Sequence, residues 1–170
     1  MPTDVDAALQ VHHRAVEAFL ADGRAVPAGR WSQPRAPGKW SPGQVTEHVT
    51  LAYEFNRRLL HGDAPPGVGA PRPLRPLIRK FLLGLVLRRG RFIPGSKSPV
   101  VFRPGPSPSP QSSLLDRLEA AARAFESDAR TLGVPAIDHP FFGRTPLVDF
   151  VRLQEIHTLH HRAQLSRAAG

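Results

Sequence analysis

Eleven of the chain's nineteen prolines fall between Gly62 and Gln111, and that clustering limits what the chain can fold into. Proline can neither continue a helix nor sit in a central strand. The stretch therefore separates an N-terminal from a C-terminal half, each of which carries helical periodicity. The first helical stretch runs from about Asp4 to Ala21, with Val5, Leu9, Val16 and Phe19 on one face and Gly23 as its stop. The second opens at SPGQ: Ser41 as N-cap, Pro42 in the first helical position and Gln44 reaching back. It continues to about Leu60, where His61-Gly62 ends it. A third spans about Gln111 to Leu132, with Leu114, Leu118, Ala121, Phe125 and Leu132 inward, closed by Gly133 and Pro135. The fourth opens at Thr145-Pro146, again a cap followed by proline, and runs nearly to the C-terminus. No segment alternates as a strand should, and PVVFR (Pro99 to Arg103) comes nearest. A long crossover lets consecutive helices run parallel. The expectation is an all-α four-helix bundle in a single domain over 1–170, with residues 63–110 as a crossover insertion between helices 2 and 3.

The crossover has its own character. No acidic residue lies between Asp63 and Asp116, while Arg72, Arg75, Arg79, Lys80, Arg88, Arg89, Arg91, Lys97 and Arg103 do. Those nine cations account for the whole net charge of +9, and the rest of the chain balances. Such a distribution is not a uniformly basic surface, and aromatic interleaving stops at Phe81 and Phe92, so nucleic acid is not an expected partner. Within the crossover, Leu74 to Arg89 reads as an extra amphipathic helix: Leu74, Leu77, Ile78, Phe81, Leu82 and Leu85 form a stripe opposite Arg75, Arg79 and Arg89. It could cover a pocket, with its arginines reading carboxylates of a thiol cofactor, although a charge run of this kind is more often a solvated face. Contact of 74–89 with an anionic membrane surface ranks behind that reading. The GPSPSP tail (Gly105 to Pro110) reads as an extended spacer that does not pack. MPTDVDAALQ lacks a basic start followed by an apolar run, and Phe81 to Leu87 is far shorter than the ~20 residues of a membrane span. The expected address is the cytoplasm. The chain contains no cysteine, which removes disulfides, thiolate ligands and a protein thiol nucleophile together.

Chemistry is expected where polar side chains interrupt apolar faces. At about 100° per residue, His48 is central on its helix's apolar face, flanked by Val45, Leu51, Ala52, Phe55 and Leu59. On the last helix the inward face carries Leu147, Phe150, Leu153 and Leu165, but also Gln154, His157, His161 and Gln164. His157 and His161 stand one turn apart, about 6 Å between Cβ atoms. They can grip one metal ion, with His48 as the natural third ligand. Three nitrogens and one open position describe a catalytic site rather than a closed structural one. Gln154, Gln164 and His160 are candidates for the surrounding shell. His12, inward between Leu9 and Val16, reads as a buried structural histidine ahead of a fourth ligand or a proton shuttle. His13 and Glu17 read as a solvated pair, and His139 as a turn or capping residue. Glu47 precedes His48 but phases about 100° away from it, so no general base stands out.

Two segments, GKWSPGQVTEHV (Gly38 to Val49) and HPFFGRTPLVDFVRLQEIHTLHHRAQL (His139 to Leu165), resemble the DinB-like superfamily. Trp40, Ser41, His48, His157, His161 and Gln164 match its Trp-Ser opening of the second helix, its following histidine and its last-helix His-x-x-x-His with glutamine. The resemblance implies an up-down-down-up bundle holding a divalent metal, zinc or nickel, on the three histidines. Characterised relatives include bacillithiol- or mycothiol-dependent S-transferases and a mycothiol-dependent maleylpyruvate isomerase. It implies an enzyme that joins a low-molecular-weight thiol to a small-molecule electrophile. A non-enzymatic metal-binding or stress-response protein and a metal-dependent hydrolase are the alternatives, and a homodimer is left open. The resemblance does not extend to the basic crossover.

Overall fold

Four long helices form where the periodicity places them, in a computed structural model that describes residues 4–65, 68–92 and 98–169, with side chains through Leu165. Lys97 and the first three residues lie outside the described residues. Helix α1 spans Asp4–Ala25, α2 Pro42–Leu60, α3 Arg75–Ile78, α4 Gly84–Arg89, α5 Gln111–Thr131 and α6 Leu147–Ala169. A π turn over Arg79–Leu83 joins α3 to α4, so 75–89 is one helical segment.

Helix α2 begins as its sequence dictates: the Ser41 hydroxyl accepts from the Gln44 amide and the Gln44 side chain accepts from the Ser41 N–H. Helix α1 does not stop at Gly23. That glycine is buried inside the helix, and a Cβ there would meet the Leu115 side chain at 2.7 Å, so it serves close packing against α5. Leu132 lies past the last turn of α5 and is exposed rather than inward, because the chain turns away at Gly133.

Helix α1 packs against α5 and α6, and α2 against the same two, so each sequential pair lies across a diagonal. Ion pairs give the senses. Asp6 meets Arg130 and Arg24 meets Glu119, so α1 and α5 are antiparallel. Glu54 meets Arg117 and His61 meets Asp128, so α2 and α5 run together, as the long crossover permits. The main core between the helices centres on Phe19, Val49, Tyr53, Leu118, Phe125 and Phe150, all fully buried. Among the described residues no helix is long and apolar enough to cross a membrane.

Three expectations for the connections need correction. First, Thr145-Pro146 is not a helix cap. It ends a hairpin of β1 (Ala136–His139) and β2 (Gly143–Pro146), with Ile137 opposite Thr145. PVVFR is no strand: Val100–Phe102 is a 3-10 turn. A hairpin this short has no room to show alternation. Second, the stripe of 74–89 does not face the bundle. Leu83 and Val86 pack on Leu153 and Ile156, while Leu74, Leu77, Phe81 and Leu82 face outward. The helix is apolar on both sides, so the larger stripe did not identify the buried one. Third, the GPSPSP tail packs. Trp31 Nε1 donates to the Ser109 carbonyl at 2.9 Å, Gln44 Nε2 donates to the Gly105 carbonyl at 2.9 Å, and Pro108 packs so close to Gly43 that a Cβ there would meet its ring. An extended proline chain leaves its carbonyls free: Gln44 in the first turn of α2 takes one and Trp31 the other.

Candidate metal centre

Helices α2 and α6 bring His48, His157 and His161 together, and one ring nitrogen from each lies within 4.8 Å of the others. His48 Nε2 stands 3.1 Å from His157 Nε2. Two nitrogens sharing a tetrahedral ion at ~2.0 Å are separated by about 3.3 Å, so this spacing already suits a common cation. The ring centroids of His161 lie 4.5 Å from His48 and 4.6 Å from His157.

The orientation of His48 is set from the crossover. Its Nδ1 is 2.7 Å from the carbonyl oxygen of Phe102. A carbonyl only accepts, so Nδ1 carries the proton and the neutral ring turns a bare Nε2 toward the cluster. The Trp40 ring, 4.9 Å away, packs against the same imidazole. Sequence reasoning missed Phe102 because the contact uses its backbone oxygen, on which no side-chain pattern reports.

Burial keeps all three rings neutral. It lowers the pKa of His48 below the ordinary imidazole value, partly offset by the Phe102 hydrogen bond. It lowers His157 and His161 well below that value, helped by the neighbouring histidines. The Nδ1 atoms of His157 and His161 are buried without hydrogen-bond partners. Leaving such atoms unsatisfied costs about 1–3 kcal/mol each. Neutral imidazoles with an incompletely satisfied interior fit a divalent cation well.

The cluster lies in the wall of a cavity of about 400 Å³. Trp40, Phe92, Phe102, Phe141, Phe142 and Leu153 give the cavity an apolar wall. Its polar groups beside the triad include Asn56, Gln154, His160 and Gln164. Asn56 Nδ2 donates to Gln154 Oε1 at 2.6 Å, while Gln154 Nε2 is buried without a partner. His160 stands beside His161, 4.9 Å between centroids, and Phe92 covers both His157 and His160. His139 also lines the cavity. It caps the hairpin turn by accepting the Phe141 N–H, and burial pushes its pKa down to about 3. Among the described residues, no Asp, Glu, Arg or Lys lines the cavity. The crossover arginines therefore do not reach the cavity to read carboxylates. Arg75 instead bonds the Ala70 carbonyl and pairs with Asp138, and Arg79 bonds the Arg144 carbonyl.

His12 is not in this cluster. It is fully buried, with Nδ1 2.8 Å from Glu126 Oε1 and Nε2 2.8 Å from the Tyr53 hydroxyl. That hydroxyl also meets Thr158 Oγ1 at 2.8 Å. Burial works to raise the pKa of Glu126, but the His12 hydrogen bond and the charges of His12 and His13 hold it below the ordinary carboxylate value. His12 is thus the structural histidine of a buried polar chain, neither a fourth ligand nor part of the cavity wall. His13 contacts Glu17 but also Glu126, at the exposed end of that chain. Glu47 accepts from the Gly105 N–H, away from the triad.

Of the residues lining the cavity, Asn56, Ser98, Phe141 and Phe142 went unread as site residues, and Phe92 was read only as an aromatic of the basic crossover. Only Asn56 left a signal, a polar residue about 80° from His48 at the edge of the same apolar face. Compared with known proteins, residues 8–165 match the sequence profile of the DinB superfamily. No curated protein and no solved structure matches the chain.

Proposed function

The chain belongs to the DinB superfamily, and from that premise we propose that it is a divalent-metal-dependent enzyme that transfers a low-molecular-weight thiol to an electrophile. The observation that carries the proposal is the convergence of three neutral imidazoles on a cavity that contains no carboxylate among the described residues. His48, His157 and His161 would hold the metal; imidazole donors suit zinc, nickel, copper and iron alike, and zinc or nickel is what the family resemblance implies. A cation there supplies a Lewis acid that favours the deprotonated form of a thiol or water beside it.

The rest follows from the protein's own groups. The Phe102 carbonyl fixes the His48 tautomer, so that ligand needs no rearrangement to bind. The apolar wall excludes water and favours an electrophile with apolar surface. Asn56, Gln154 and Gln164 offer hydrogen bonds that orient polar ends of bound molecules. Water attack is best served by a carboxylate base to accept its proton, and the cavity offers none among the described residues. A thiol has a pKa near 8.5 and needs less help, which favours thiol transfer over hydrolysis. The chain has no cysteine, so the thiol comes from solution.

The test is to load the protein with zinc or nickel and supply a panel of low-molecular-weight thiols with a chromogenic aryl halide. The expected result is thiol-dependent turnover that chelation and His157→Ala both abolish. Turnover that requires no thiol would support hydrolysis instead. Stoichiometric metal with no turnover on any pair would support the non-enzymatic reading.

A further inference from the structure

The segment over 75–89 presents a second feature, independent of the metal. Its inner side is held by Leu83 and Val86 against Leu153 and Ile156. Its outer side is apolar as well: Leu74, Leu77, Phe81 and Leu82 are 49%, 57%, 61% and 40% exposed. Four of the nine large exposed hydrophobics among the described residues thus fall within nine positions. A helix with apolar side chains on two opposite sides ordinarily meets a partner on each, and this one is covered on one side.

Around that face stand Arg72, Lys80, Arg88, Arg89 and Arg91, all exposed. Among the described residues, the only ion pair of 72–91 is Arg75 with Asp138. No acidic residue occurs from 64 to 115. The patch therefore combines an apolar centre with a cationic surround.

We propose that this face docks on an anionic lipid bilayer surface. The chemistry fits on both counts: leucine and phenylalanine side chains enter the headgroup–acyl boundary, while arginine and lysine meet lipid phosphates. A second copy of the chain is disfavoured, because pairing the face with itself would set its cations against the same cations. Nucleic acid would find leucines where stacking aromatics are needed. Phe92, just beyond this segment, lines the metal cavity, so docking would bring that site close to lipid-borne molecules.

The experiment is flotation of the full, metal-loaded chain with phosphatidylcholine vesicles, with and without phosphatidylglycerol, at physiological salt. Binding is expected to the anionic vesicles only, and to weaken at high salt. The exposed pair Leu77→Glu and Phe81→Glu should lower partitioning at least about tenfold. Arg88→Gln with Arg89→Gln should lower it on the order of 30-fold. Circular dichroism and metal content should remain as in the parent chain. The proposal is overturned by absence of binding to anionic vesicles, or by binding that Leu77→Glu and Phe81→Glu leave unchanged. A parent chain that self-associates through these residues, without floating, would also overturn it and assign the face to a second copy.

Discussion

Metal affinity should depend on pH far less than three ordinary histidines would allow. Only the neutral ring binds a cation, so protons compete with the metal at each ligand. For three imidazoles at the unperturbed value of about 6.5, the fraction with all three neutral falls about 50-fold between pH ~7.5 and ~6.0. Here burial lowers His48 and takes His157 and His161 well below that value. The sign follows: with depressed pKa values the neutral, binding-competent forms persist as pH falls, and they are lost only when pH passes the lowered values. The affinity of the folded protein should therefore change by no more than about threefold over the same interval. The same shifts destabilise the metal-free fold in acid, because the unfolded chain takes up protons below about 6.5 while the folded one does not. Competition with a chromophoric chelator, corrected for the chelator's own protonation, measures the affinity at each pH. A fall approaching 50-fold would mean solvated rings at ordinary pKa values. It would refute the buried, pre-oriented triad.

Substituting His48, His157 or His161 singly by alanine should lower metal affinity at least about tenfold while leaving the helical circular dichroism largely intact; elemental analysis after dialysis reads the outcome. His12→Leu should do the reverse. It takes one partner each from the Glu126 carboxylate, which keeps His13, and from the Tyr53 hydroxyl, which keeps Thr158, so urea unfolding should report a loss of about 1–3 kcal/mol with metal content unchanged. Gly43→Ala should destabilise by about 1–3 kcal/mol, because its Cβ would stand 2.6 Å from Pro108 and 2.8 Å from the Trp31 indole nitrogen. Urea unfolding at unchanged helix length checks it.

What the sequence revealed and what it hid divide by the range of the interactions. Helix α2 could be read to the residue at its start because Ser41 and Gln44 satisfy one another within a single turn and Pro42 occupies its first position. The three histidines could be read because helical phase places His48 on one face and His157 with His161 on another, and two faces of a bundle must meet. Leu74 to Arg89 could not be oriented, since Leu83 and Val86 are as apolar as the residues opposite them. The packing of Pro108 on Gly43 joins positions 65 apart, and no local pattern encodes a contact of that kind. The hairpin closing on His139 was hidden in the same way, its short strands being indistinguishable from a loop.

The Phe102 carbonyl ties the crossover to the metal centre in a way that tolerates drift. Any residue at 102 brings a peptide oxygen, so substitution of that side chain leaves the acceptor for His48 in place. A deletion or insertion elsewhere in 63–110 would shift the oxygen itself. The length of this connection, more than the side chain at 102, then decides whether His48 keeps its acceptor.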